Sequence, residues 1–122
     1  MAQDKFIGEM EHMVLLAVLR LNEQAYGSQI RQCLADTVDR DLSIGALYTT
    51  LERLEQKGLL KSRLGEATAE RGGRAKKYFA ITAEGQQALH RSKQALDRLW
   101  QGLALRQGAS VTVPQNGMEF PA

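Results

Sequence analysis

The side chains here best able to grip a large ligand are cations. Residues 52–78 hold Arg53, Lys57, Lys61, Arg63, Arg71, Arg74, Lys76 and Lys77 against four acids, a local balance of +4. Residues 1–51 carry −3 and residues 79–122 carry +1, so the net charge of +2 conceals a basic middle. A patch of this kind attracts a polyanion such as a nucleic-acid backbone. As charge alone, the cluster also fits a solvated polar face.

Other chemistries are poorly supplied. Cys33 is the only cysteine, so no internal disulfide forms, and its place between Ile30 and Leu34 at helical spacing suits a small core residue better than a nucleophile. His12 and His90 are the only histidines, and the carboxylates are not spaced to complete a metal cage with them, so neither metal nor cofactor is expected. No glycine-flanked serine elbow or other catalytic constellation is present, which argues against an enzyme.

The chain that positions the cations has 122 residues, 43% hydrophobic and 25% charged, the size and composition of one small globular domain with an accessory segment. Its longest aliphatic run, residues 13–19, is too short to cross a bilayer. Asp4, Glu9 and Glu11 stand where a secretory signal would be basic, so no membrane association and a cytoplasmic location are expected.

Apolar residues at Met10, Met13, Val14, Ala17, Val18 and Leu21 predict a first helix over 6–21. Ser28 is positioned to cap a second, with Ile30, Cys33 and Leu34 inward, followed by a polar connection over 37–42. Ser43 is the expected N-cap of a third helix, with Ile44, Leu47, Leu51 and Leu54 facing inward and Gly58 ending it. The period then changes to two. Leu60, Ser62 and Leu64 alternate with Lys61 and Arg63, and a second strand over 75–81 alternates Lys76, Tyr78 and Ala80 with Lys77, Phe79 and Ile81. Thr82 is placed to cap a final helix that could run to Leu105, about 35 Å at the usual rise. Residues 107–122 lack periodicity and read as a disordered tail.

Three helices, a two-stranded hairpin and a further helix predict a mainly α fold with a small antiparallel β wing, a winged helix-turn-helix with a long C-terminal helix. The expected units are a winged-helix domain over 6–81, a dimerisation helix over 82–105 and the tail over 106–122. In such a fold the third helix enters the major groove of double-stranded DNA and the wing touches its backbone. The outer face of the third helix carries Ala46, Thr49, Thr50, Arg53 and Lys57. Small and hydroxyl residues there permit close approach to base edges, and the two cations suit phosphate, with a guanine edge also open to Arg53.

The stretches Tyr26-Gly27, Gly45-Ala46-Leu47-Tyr48-Thr49-Thr50-Leu51, Arg53-Leu54-Glu55, Gly58-Leu59-Leu60, Gly73-Arg74, Lys76-Lys77-Tyr78-Phe79 and Ile81-Thr82 with Gly85 resemble the PadR family of bacterial transcriptional regulators. The resemblance spans about residues 8–104 and implies a homodimeric winged helix on a pseudo-palindromic operator, usually a repressor released by a small, often aromatic, effector. It implies DNA contacts from Ser43, Ala46, Tyr48, Thr49, Thr50, Arg53 and Lys57 on the reading helix and from Arg74, Lys76 and Lys77 on the wing. Many members carry proline where this chain has Thr49. The chain is similar to the compact group that lacks a large C-terminal domain.

A homodimer also follows from the last helix. Ala88, Leu89, Ala95, Leu96, Leu99, Trp100 and Leu103 form a longer apolar stripe than a small winged helix needs, with Leu89, Leu96 and Leu103 seven apart. Leu89, Leu96, Leu99, Trp100 and Leu103 are the expected dimer contacts. Trp100, Met10 and Met13 could line an effector pocket, or serve as dimer anchor and core. Tyr48 could reach a phosphate or brace its helix, and Tyr78 suits wing support better than base stacking. A winged-helix protein-interaction module, for which the basic wing would be incidental, is the competing reading.

Overall fold

The computed structural model describes residues 6–65 and 75–105. Helices α1 (Glu9–Leu21), α2 (Gly27–Val38) and α3 (Ile44–Gln56) precede strands β1 (Leu60–Leu64) and β2 (Lys77–Ile81), and α4 (Ala83–Trp100) follows. The winged-helix element order is therefore present. The strands pair antiparallel with Leu60 opposite Ile81 and Leu64 opposite Lys77. Among the described residues no helix is long and apolar enough to cross a membrane.

The chain divides by contacts into Met1–Ser92 and Lys93–Ala122. In the first unit Val14, Leu15 and Val18 of α1 are buried in one cluster with Ile30 and Leu34 of α2, Leu47, Leu51 and Leu54 of α3, and Phe79 of β2. Each fully buried aliphatic side chain contributes about 2 kcal/mol of transfer free energy, so this cluster fixes the angle at which α3 is presented. Cys33, Met10 and Met13 are partly buried against it.

The ends of the elements follow local chemistry. The Ser43 hydroxyl accepts from the Ala46 N–H at 3.1 Å, capping α3 as the sequence predicts. After α3, Gly58 takes φ +81°, a left-handed conformation a side chain would resist, and turns the chain into β1. Thr82 closes this corner. Its hydroxyl donates to the Gly58 carbonyl at 2.7 Å and accepts from the Gly85 N–H at 3.0 Å, so one residue caps α4 and ties it to the end of α3.

Several boundaries differ from the sequence reading. α1 starts at Glu9 rather than residue 6, where the Glu11 carboxylate accepts from the Gly8 N–H at 3.1 Å. Tyr26, not Ser28, is the N-cap of α2, in extended conformation and without a side-chain cap bond. α2 also continues through Thr37 to Val38, until left-handed Asp39 donates its N–H to the Ala35 carbonyl. Ile44, the first residue of α3, is exposed although Leu47 in the same turn is buried, and Leu64 is exposed at the outer end of its strand. α4 stops at Trp100 instead of Leu105, where Gly102 at φ +82° ends it. The tail assigned to 106–122 lies outside the described residues.

His12 of α1 meets Ser92 of α4, with Nδ1 and the hydroxyl oxygen 2.9 Å apart. Burial strips water from the ring and lowers its pKa below the ordinary 6.5. A lowered folded pKa favours the native state while the ring is neutral, above the unfolded value, and this contribution is lost as pH falls through the folded pKa. Urea denaturation of wild type and His12→Gln should therefore show the wild type losing more stability between about pH 7 and pH 5. Parallel pH profiles would remove the assignment.

Candidate nucleic-acid interface

On α3, Leu47, Leu51 and Leu54 are fully buried, which leaves Ala46, Thr49 and Arg53 on the exposed side at steps of three and four. Gly45, Glu52 and Gln56 are exposed beside them. With Ser43 at the helix start, this strip is narrow, low in its first turns and charged further along. A backbone or base edge can approach the first part closely, and a guanidinium waits one turn on.

Two residues assigned to this strip from sequence do not lie free on it. Thr50 is only 7% exposed, and its hydroxyl donates to the Ala46 carbonyl one turn back at 3.1 Å, since a threonine at this angle of the helix turns toward the core. Lys57 is half-buried, with Nζ 3.0 Å from the Glu11 carboxylate of α1. Tyr48 is half-buried too, and its phenol fills the space a side chain on Gly27 would need, so it braces α2 against α3.

The wing is built on aromatic rings. Tyr26 and Tyr78 meet edge to face with centroids 5.3 Å apart, and their backbones form a bridge beside the Phe79 N–H to Ala25 carbonyl bond of 2.8 Å. The segment before α2 thus acts as a short third strand. Cations stack on this pair. Lys76 Nζ lies 4.2 Å from the Tyr26 ring centroid and the Arg63 guanidinium 4.6 Å from that of Tyr78. Tyr78 is therefore wing support. Lys77 instead turns inward, 3.8 Å from Glu55 of α3. Arg74, and Arg71 with it, lies outside the described residues.

The structure thus gathers Ser43, Ala46, Thr49 and Arg53 on α3 and places Arg63 and Lys76 on one aromatic support. The sequence reading counted Arg63 in the basic middle and Tyr26 in a family motif but gave neither a role at the interface. The strand alternation did put Arg63 on the outward side, but its stacking on the Tyr78 ring of the neighbouring strand depends on the hairpin register, which alternation alone does not set. Glu11 was missed as well, because an acid in a first turn reads as a dipole partner.

In the second unit, Leu96 and Trp100 are exposed, Leu99 is 72% exposed and Leu103 is half-buried. Leu89, assigned to the same dimer stripe, is 7% exposed in the core of the first unit, because the start of α4 completes that core. The near end of the apolar stripe therefore belongs to the core, and only its distal part is open.

The family model for the PadR-like transcriptional regulators matches residues 15–91. Solved structures agree. A PadR family regulator from Eggerthella lenta is 29% identical, with a TM-score of 0.61 over 77% of this chain and 81% of that one. A PadR-like transcription factor from Bacteroides fragilis is 28% identical, with a TM-score of 0.62 over 74% and 82%. A transcriptional regulator from Clostridium thermocellum, 23% identical, shares the fold at a TM-score of 0.63 over 74% and 84%. No curated protein matches significantly. With a family match across both α3 and the wing, this chain belongs to the PadR-like family of transcriptional regulators.

Proposed function

We propose that the chain is a sequence-specific DNA-binding repressor that acts in the cytoplasm as a homodimer on a pseudo-palindromic operator. The observation that carries this reading is the exposed strip of Ala46, Thr49 and Arg53 on a helix whose opposite face is locked in the core, next to cations held on the wing. Ser43 and Thr49 approach the backbone and base edges, Arg53 reads a base, and Lys76, Arg63 and Arg74 meet phosphates. Tyr48 supports the helix. Residues 6–81 form the reading unit, and 82–105 join two copies through Leu96, Leu99, Trp100 and Leu103. Two-fold symmetry then sets the reading helices about 34 Å apart, one DNA turn. A small aromatic effector that stacks on Trp100 at that junction releases the DNA.

Selection of bound duplexes from a random-sequence library at about physiological salt tests the reading, because non-specific attraction is weakened there. An enriched palindrome supports it. Arg53→Ala should then lower discrimination at one base pair per half-site by about ten-fold, the scale of one lost bidentate contact. No enrichment, with the protein captured by other proteins instead, would move the assignment to an interaction module. A monomer at micromolar concentration in gel filtration would sink the two-fold arrangement.

A further inference from the structure

Glu11 is 5% exposed, the only charged side chain among the described residues that is buried. Both of its carboxylate oxygens accept from Lys57 Nζ at 3.0 Å, and the one that also accepts from the Gly8 N–H is thereby held at the start of α1. The other lies 3.7 Å from the Arg53 guanidinium, whose side chain is half exposed on the α3 strip. One carboxylate on α1 therefore faces two cations of α3. Its position is expensive to leave, since breaking a buried ion pair strands the remaining charge.

Neither a helix cap nor core packing requires this arrangement. A cap uses one oxygen, whereas here both oxygens are turned to cations on the helix that reads DNA. Attraction to arbitrary DNA grows with the number of cations free to meet phosphates, while selectivity is the ratio of operator to arbitrary binding. Occupying Lys57 and holding Arg53 from behind acts on that ratio.

We propose that Glu11 is a specificity-determining residue, which holds Lys57 and Arg53 on α3 so that the helix is less attracted to arbitrary phosphate and Arg53 addresses a base from a fixed position. This rests on α3 as the DNA-reading helix. Glu11 is a positioning residue, acting through the two cations rather than by touching DNA.

Glu11→Gln keeps the shape and one acceptor oxygen but removes the charge. With random-sequence duplex as probe, the plot of log affinity against log salt should steepen by about 1, the value of one added phosphate contact, and affinity at about 0.15 M salt should rise about five-fold. Preference for a selected operator over random duplex should fall by a similar factor. A merely structural Glu11 predicts weaker binding to both DNAs with the slope unchanged, and that result overturns the proposal. A second measurement uses the wild type and does not depend on the variant folding. In nitrogen-detected NMR of the lysine ammonium groups, random duplex should displace the Lys76 resonance and leave that of Lys57 in place; equal displacement overturns the proposal. Wild type that binds no duplex overturns this reading and the operator reading together. A steeper slope in the variant with no enriched sequence rejects the operator reading and the specificity role that rests on it, whereas an enriched sequence with an unchanged slope rejects the role of Glu11 alone.

Discussion

Gly85→Ala should destabilise the protein by about 2 kcal/mol, against the usual direction of such a change. Alanine in a helix interior normally gains about 1 kcal/mol over glycine. At Gly85, however, an added Cβ would press into the Leu59 carbonyl oxygen and lie 2.6 Å from Ile81 Cγ1. The carbonyl cannot retreat freely, because it accepts from the Thr82 N–H at 3.1 Å. Overpacking of this kind costs about 3 kcal/mol where backbone must move, which outweighs the propensity gain. Gly45→Ala is the matched control, since no atom lies within 4 Å of a Cβ there. It should be neutral or stabilising by up to about 1 kcal/mol. Urea denaturation of the two variants should move the midpoint in different directions; a higher midpoint for Gly85→Ala would show that α4 is not seated on the β1 corner as described.

Replacing Arg63, Arg74 and Lys76 together by glutamine should abolish most DNA affinity while leaving the fold intact. Each phosphate contact adds about 0.9 to the salt exponent, so three lost contacts flatten the slope by about 2.7 and weaken binding about 10²-fold near 0.15 M salt. Arg63 and Lys76 are exposed, and their aromatic contacts hold them in place without carrying the core. Binding of random duplex at four or five salt concentrations checks this. An unchanged slope would remove the wing from the interface. Because Lys77 is turned toward Glu55, Lys77→Gln alone should flatten the slope less than Lys76→Gln does.

The reach of local pattern differs from residue to residue. Ser43 and Thr82 were legible as caps because a hydroxyl ahead of a helical apolar stripe satisfies N–H groups within three residues. Leu47, Leu51 and Leu54 were legible because their spacing alone defines a face. Thr50 was misjudged on the same helix. It stands at the edge of the apolar stripe, where periodicity leaves the side open, and the folded chain buries it with its hydroxyl bonded to the Ala46 carbonyl.

The elements, their order and the basic middle follow from the sequence alone, since periodicity, capping and charge act over a few residues. With them came the winged-helix fold and membership of the PadR-like family, carried by motifs around α3 and the wing. What needed the tertiary structure is which cations are free. Lys57 meets Glu11 across 46 residues, Lys77 meets Glu55 across strand and helix, and Arg63 and Lys76 rest on rings brought together from two segments. The same holds for α4, where Leu89 joined the core and Leu99 stayed exposed though both belong to one stripe. The physical reason is common to these cases: a charge or an apolar side chain is satisfied by whatever lies within about 4 Å of it, and residues distant in sequence become neighbours only when the core closes.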